Sequence, residues 1–247
     1  MPTEGFPFSL PAIRSFERLS LDAPVTFFVG ENGSGKSTLL ESLAYAAELW
    51  AAGADRIEMD PSLEPQRELG RHLRLAWSVR SRRGFFLRAE DFFGHLKTDA
   101  RITARILREK GLVRLEEPSP DARHDDEVLA ERHLKQVDVR SHGESFLEFF
   151  RRSMQGEGLY LLDEPEAPLS PKRQLAFLAL MHECVKEGAQ LVVATHSPIL
   201  LSYPGARILS FDHVPVTEVA YESLEHFRVT RDFLNNREKY LKPLLDP

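Results

Sequence analysis

The sequence predicts an α/β fold with a mainly parallel central sheet, helices on both faces, an antiparallel β part and a small helical lobe. Three observations carry this. Four short, predominantly apolar runs, at 25–29, 158–162, 190–195 and 206–211, have the length and evenness of strands buried on both faces. Segments of helical periodicity alternate with them, as connections between parallel strands require. A glycine-rich turn joins the first run directly to the first of those helices.

The elements follow in chain order. "VTFFV" at 25–29 is the pattern of a buried central strand. Over 35–52, Leu39, Leu40, Leu43, Ala46, Ala47 and Trp50 recur at helical spacing, so a helix is expected to run through that stretch. "LRLAWSVR" alternates, with Leu73, Leu75, Trp77 and Val79 on one face and Arg74 and Arg80 on the other. With the turn "SRRG" and the run "FFLR" it predicts an antiparallel hairpin. Helices are expected over 98–110, 127–135 and 144–154. "GLYLL" at 158–162 is a second buried strand, and Ser170-Pro171 supplies the cap and first turn of a helix running to about Lys186. "QLVVAT" and "ARILSF" complete the buried strands. The last stretch, "VTRDFLNNREKYLKPLLDP", predicts a helix with Phe233 and Tyr240 on one face, free to pack on the body or on a partner.

Composition bounds the class. With 247 residues, 42% hydrophobic and 28% charged, the chain can bury a sizeable core as one domain and shows no sign of global disorder. No apolar run approaches the length that crosses a membrane, and "MPTEGFPFSL" lacks the pattern of a secretory signal. The single cysteine, Cys184, excludes an internal disulfide and fits a reducing cytoplasm; its apolar helical setting makes it a core residue. The net charge of −6 conceals an asymmetry. Residues 67–110 carry twelve Lys/Arg against five Asp/Glu, whereas "EEPSPDARHDDEVLAE" at 116–131 is acidic, contains two prolines and reads as an exposed connection. There is no internal repeat and no sustained heptad pattern.

Four sets of residues carry chemistry. The first is "GENGSGKST", where Gly30, Gly35, Lys36 and Ser37 fit a phosphate-binding loop between strand and helix. Glycines let backbone N–H groups wrap an anion, and the helix N-terminus adds its dipole. Lys36 reaches terminal phosphates and Ser37 ligates Mg²⁺. The second is "LYLLDEPE". Four apolar residues place Asp163 and Glu164 at the C-terminal edge of a buried strand, where open α/β sheets bind ligands. Asp163 is placed to hold Mg²⁺ and Glu164 to orient an attacking water, which favours hydrolysis over phosphoryl transfer to a small substrate. The third, "SHGES" at 141–145, opens a helix. The fourth, "ATHSP", sets His196 just past the strand 190–195, at the same sheet edge as Glu164.

Together, in this order and spacing, these sets resemble the ABC-type ATPases, within the P-loop NTPases. The loop looks like Walker A, "SHGE" like the signature, "LYLLDEPE" like Walker B with its catalytic glutamate, and His196 like the switch histidine. The wording of "GENGSGKSTLLE", "GFFLRAEDFF", "SHGESF" and "ATHSP" resembles short predicted ATPases often labelled AAA-type, with relatives among recombination and chromosome-maintenance ATPases. The likeness spans about residues 6–211 of a single domain, with a core lobe over 1–90 and 156–247 and a helical signature lobe over 91–155.

The resemblance implies a site and a partner. ATP is held by Gly30, Asn32, Gly33, Ser34, Gly35, Lys36, Ser37 and Thr38, and Mg²⁺ by Ser37 and Asp163. Lys36, Glu164 and His196 are implied as catalytic. Ser141, Gly143 and Glu144 are implied to complete the site of a second copy, so that a head-to-tail homodimer closes over two ATP molecules. Three positions depart from the family pattern. Arg140 precedes Ser141 and His142 stands where a first glycine is usual. Ser170 stands where the D-loop has an aspartate. No glutamine occurs in "FFLRAEDFF", where Glu90 either replaces it at the metal or is a surface acid. Phe16 either stacks on adenine or belongs to the core.

Three uses of the ATP cycle stay open: a cytoplasmic switch that signals to a protein partner, an ATPase acting on DNA, and the engine of a membrane transporter. The arginines at 80, 82, 83, 88, 101, 105 and 108 could neutralise nucleic-acid phosphates, against the acidity of the whole chain. The altered Q-loop and the short lobe over 91–140 argue against the transporter.

Overall fold

The computed structural model describes residues 5–52, 61–81, 83–90, 92, 128 and 142–245. The helices expected over 98–110 and 127–135, most of the lobe over 91–155, Ser141, and the arginines at 82, 101, 105 and 108 lie outside the described residues.

A seven-stranded sheet organises the described residues. It runs β2 (Trp50–Ala52), β3 (Gly84–Arg88), β4 (Leu159–Asp163), β5 (Gln190–Ala194), β1 (Val25–Val29), β6 (Arg207–Ser210) and β7 (Thr217–Glu218). All neighbours pair in parallel except β6 and β7, which form the antiparallel part at one edge. Five-residue apolar runs make β1 and β4 because a strand covered on both faces has no use for polar alternation.

The pleat divides each strand between two cores. Val25, Phe27 and Val29 join Phe85, Leu87, Tyr160 and Leu162 on one face. Phe28, Phe86, Leu161 and Val192 join the other. The second face is covered by α1 (Pro11–Arg14), α2 (Lys36–Ala46) and α3 (Glu64–His72), through Ile13, Leu40 and Leu69. The first is covered by α4 (His142–Ser153) and α5 (Pro171–Lys186), through Phe146, Phe150, Phe177 and Met181. Cys184 is buried there, its thiol donating to the Met154 carbonyl at 3.3 Å, and burial pushes its pKa up to about 11.

Three expectations change. The helix beginning at Lys36 ends at Ala46, because Glu48 takes a positive φ of 56° and turns the chain into β2, where Trp50 pairs with Phe85. The hairpin does not form. "FFLR" is a parallel strand between β2 and β4, and residues 73–80 contain no strand. Leu73, Leu75 and Trp77 still pack on the core while Val79 is exposed, so the alternation is half honoured without strand pairing. Phe85, Phe86 and Leu87 need cover on both faces, which a central position supplies and an edge hairpin does not. Gly84 makes the insertion possible: at φ 126°, a Cβ there would lie 1.8 Å from the Leu159 carbonyl oxygen.

The C-terminal stretch is two helices, α6 (Glu225–Asn235) and α7 (Arg237–Leu245), broken at Asn236 with φ −138°. Phe233 and Tyr240 meet across the break with ring centroids 5.9 Å apart. Ser170 occupies the N-cap of α5 without a side-chain capping bond; its carbonyl accepts from the Arg173 and Gln174 amides instead.

Candidate functional site

The site lies at the C-terminal edge of β1, β4, β5 and β6. Leaving β1, the chain turns through Gly30 at φ 144°, where a Cβ would approach Asp212 Oδ1 and Ser34 Oγ to 3.0 Å. It enters α2 through Gly35, left-handed at φ 104°. The loop therefore ends with the first turn of a helix aimed inward, its leading N–H groups free of intrahelical partners.

Lys36 is buried, and its Nζ donates to the carbonyls of Gly30 at 2.6 Å and Glu31 at 2.9 Å. Burial lowers its pKa, while Asp163, Asp212 and Glu164 oppose that shift. Ser34 Oγ is buried with no hydrogen-bond partner among the described residues. An unsatisfied hydroxyl, a buried ammonium and a helix N-terminus around one loop fit a phosphate chain. Asn32 and Gly33 are exposed at the loop tip, and Thr38 is half-buried in the first turn of α2.

Ser37 and Asp163 are brought together from 126 residues apart: the hydroxyl donates to Asp163 Oδ1 at 3.1 Å. Burial pushes the Asp163 pKa up to about 6, against the Ser37 hydrogen bond and Arg88. Both residues line a cavity of about 420 Å³ with Glu41, Arg88, Glu90 and Glu164. A hydroxyl and a carboxylate in hydrogen-bond contact beside the loop fit Mg²⁺, which takes few protein ligands and completes its shell with phosphate and water. Glu90 stands at the cavity rim, largely exposed and 3.5 Å from Arg88. Arg88 itself pairs with the buried Glu41, so this arginine of the basic stretch faces inward. Arg80 pairs with Glu48 on the surface.

Glu164 follows β4 at a positive φ of 50°, its N–H held by the Ala194 carbonyl at 2.9 Å. Its side chain is half exposed, and Oε1 lies 3.9 Å from His196 Nε2. His196 is half-buried, and its pKa is lowered by burial and by the charge of Lys36. Its Nε2 is buried with no hydrogen-bond partner among the described residues. Lys36, Ser37, Asp163, Glu164 and His196, from three separate strand ends, thus meet at one edge.

The signature residues stand apart. Gly143 is buried in the first turn of α4, where a Cβ would lie 2.8 Å from the Pro168 carbonyl and from Arg173 Cδ. Glu144 is exposed, 4.0 Å from Arg173. Among the described residues, no hydrogen bond or ion pair joins Gly143 or Glu144 to the loop of their own chain. Phe16 packs edge-on to Phe211 at 6.2 Å and is partly buried against the core.

Sequence reasoning missed several residues. Asp212, two residues past β6, accepts from the Glu31 N–H at 2.7 Å and clamps the loop. Its signal was available, since an acid just past a parallel strand stands at the ligand edge. Glu166 accepts from the His196 N–H at 2.8 Å, and His226 of α6 meets the His196 ring. No local pattern announces either.

Comparison with known proteins finds relatives at the level of the family. Residues 9–52 match the family model described as "AAA domain". Residues 146–202 match one described as "AAA domain, putative AbiEii toxin, Type IV TA system". Over 220 residues the chain is 30% identical to the hemin import ATP-binding protein HmuV of Rhodopseudomonas palustris (strain BisB5), spanning 82% of this chain and 77% of that one. Solved structures with a similar fold include a metal-chelate type ABC transporter in an inward-facing conformation, with TM-score 0.42, 19% identity, and coverage of 83% of this chain and 75% of that one. The SMC head domain from Thermotoga maritima gives TM-score 0.36, 14% identity, and coverage of 83% and 94%.

Proposed function

Because the chain belongs to the ABC-type ATPases, we propose that it binds ATP with Mg²⁺ and hydrolyses it in a site shared between two head-to-tail copies. The observation that carries this is the meeting of Ser37 with Asp163, beside Lys36 and within reach of the Glu164–His196 pair.

Each residue has work suited to its place. The α2 N-terminus, Ser34 and Lys36 receive the phosphate chain, Lys36 exchanging its two loop carbonyls for phosphate oxygens. Ser37 and Asp163 hold the metal, which when bound neutralises charge on the phosphates. Glu164 has a half-exposed carboxylate at the mouth of the site, placed to orient water and accept its proton. His196 presents a neutral imidazole toward the terminal phosphate. Glu90 at the rim would add a carboxylate near the metal.

Among the described residues, Gly143 and Glu144 make no such contact within one chain, and a second copy would bring them, with Ser141, to the loop. The helix that carries Gly143 and Glu144 opens beside α5, and its N-terminal N–H groups suit an incoming triphosphate. ATP would hold the pair closed and hydrolysis would release it, which makes the cycle a conformational switch in the cytoplasm, passed on to a protein partner. The name of the 30% identical relative supports a second reading, the ATP-binding subunit of an importer. The arginines proposed for DNA contact offer less, since Arg88 is turned to Glu41.

The test is Glu164→Gln with and without MgATP, by size exclusion with light scattering. The expected result is an ATP-dependent dimer without turnover. A monomer that still hydrolyses ATP rejects both the water-orienting role and the shared site.

A further inference from the structure

The loop that carries His196 is fixed at nearly every polar atom. Its backbone N–H donates to Glu166 Oε1 at 2.8 Å. The Ser197 N–H donates to Thr195 Oγ1 at 3.0 Å, and Ser197 Oγ donates to Gln174 Oε1 at 2.5 Å. That same hydroxyl accepts from the Ile199 and Leu200 amides, each at 3.2 Å. These bonds set the backbone and leave the rotation and tautomer of the imidazole undetermined. Among the described residues, the one hydrogen bond to the ring comes from outside the loop: His196 Nδ1 lies 3.0 Å from Nε2 of His226, with ring centroids 5.0 Å apart at 63°.

We propose that His226 is a positioning residue for the ATPase site, donating from Nε2 to His196 Nδ1 and so holding His196 as the tautomer that carries its proton on Nε2. The proposal rests on the hydrolytic reading above. One proton occupies the space between the two nitrogens, and the far side of His196 decides where it belongs. Nε2 lies 3.9 Å from a Glu164 carboxylate oxygen, at the sheet edge where phosphate oxygens would stand in the proposed site. Both neighbours only accept, so Nε2 must carry hydrogen to meet either, and Nδ1 must then accept. A ring nitrogen fixed by the bond that its opposite nitrogen makes is the usual means of setting an imidazole.

His226 is itself held. It occupies the first turn of α6, just after Leu224, which is buried in the core. Tyr221, earlier in the same segment, donates its hydroxyl to the Pro198 carbonyl at 2.8 Å, two residues from His196. Phe227 stacks on Tyr221 at 4.4 Å. The segment that delivers His226 is therefore anchored to the very loop it orients.

Two measurements test this. Long-range ¹⁵N–¹H NMR of the His196 ring in the full chain without nucleotide reads the tautomer. Nε2–H with a bare Nδ1 is expected in wild type, with a mixture of tautomers in His226→Phe and recovery in His226→Gln, whose amide also donates. A proton on Nδ1 in wild type, or a pattern unchanged in the phenylalanine variant, overturns the proposal. In steady-state ATP turnover, His226→Phe is expected to lower kcat by about tenfold or more with KM little changed, and His226→Gln to restore most of it. Equal loss in both variants, or none in either, overturns it. If wild type shows no turnover, the hydrolytic reading fails, while the NMR result still decides whether His226 sets the ring.

Discussion

Ser37 Oγ donates to Asp163 Oδ1 across 3.1 Å, closing 126 residues of chain into one contact. The carboxylate it meets is buried and faces Lys36 and Arg88, yet burial outweighs all of them and lifts its pKa to about 6. Without nucleotide, the site therefore holds this acid at a cost to stability.

That cost has a sign and a window. Between the ordinary value of 3.8 and about 6, the folded chain binds a proton that the unfolded chain has released, so stability falls as pH rises through this range. Above about 6 the penalty is complete, on the order of 2–3 kcal/mol. Asp163→Asn is expected to raise the nucleotide-free protein's stability at pH 7.5 while abolishing Mg²⁺-dependent turnover. Urea titrations at pH 5 and 7.5 check this: a gain at pH 7.5 about twice that at pH 5 is expected, and a loss at both refutes it.

Asp212 offers a gentler change. Its carboxylate accepts the Glu31 N–H at 2.7 Å and holds the loop to the end of β6. Removing one such bond, worth about 1 kcal/mol, should weaken ATP binding by about fivefold. Calorimetric titration of Asp212→Ala with a non-hydrolysable ATP analogue measures it. An unchanged affinity would mean the loop keeps its shape without the clamp.

Gly143 is required within one chain whatever it does for a second. A methyl group there meets the Pro168 carbonyl at 2.8 Å, and a backbone oxygen cannot swing aside as a side chain can. Gly143→Ala should cost about 1–3 kcal/mol, lowering Tm of the nucleotide-free protein by several degrees. Scanning calorimetry without ATP is the check, since a glycine needed only across a dimer would leave that Tm alone.

The helix that bears Gly143 is joined to the body through aromatic packing. Phe150 is fully buried, its ring 4.6 Å from Phe146 and 4.7 Å from Phe177. Phe150→Ala should destabilise by about 3–5 kcal/mol, the cost of a cavity at a site whose neighbours cannot close in. A shift in the denaturation midpoint well below that range would show α4 to be loosely docked.

What the sequence determined by itself is local. The phosphate loop is contiguous and obeys a spacing, so Gly30, Lys36 and Ser37 were legible before any coordinate. Asp163, Glu164 and His196 were legible because buried parallel strands announce themselves as apolar runs and ligands gather past their C-terminal ends. Tertiary structure alone decided the rest. "FFLR" reads equally as half of a hairpin or as a central strand, and the choice fell to the partners that cover both its faces, β2 and β4. Asp212 reaches a loop 181 residues earlier in the chain, and His226 reaches a ring 30 residues away. Periodicity reports which face of an element is buried, because that is a property of neighbours along the chain. It is silent on which side chains meet across the fold, because that depends on strand order and helix placement, which no short stretch contains.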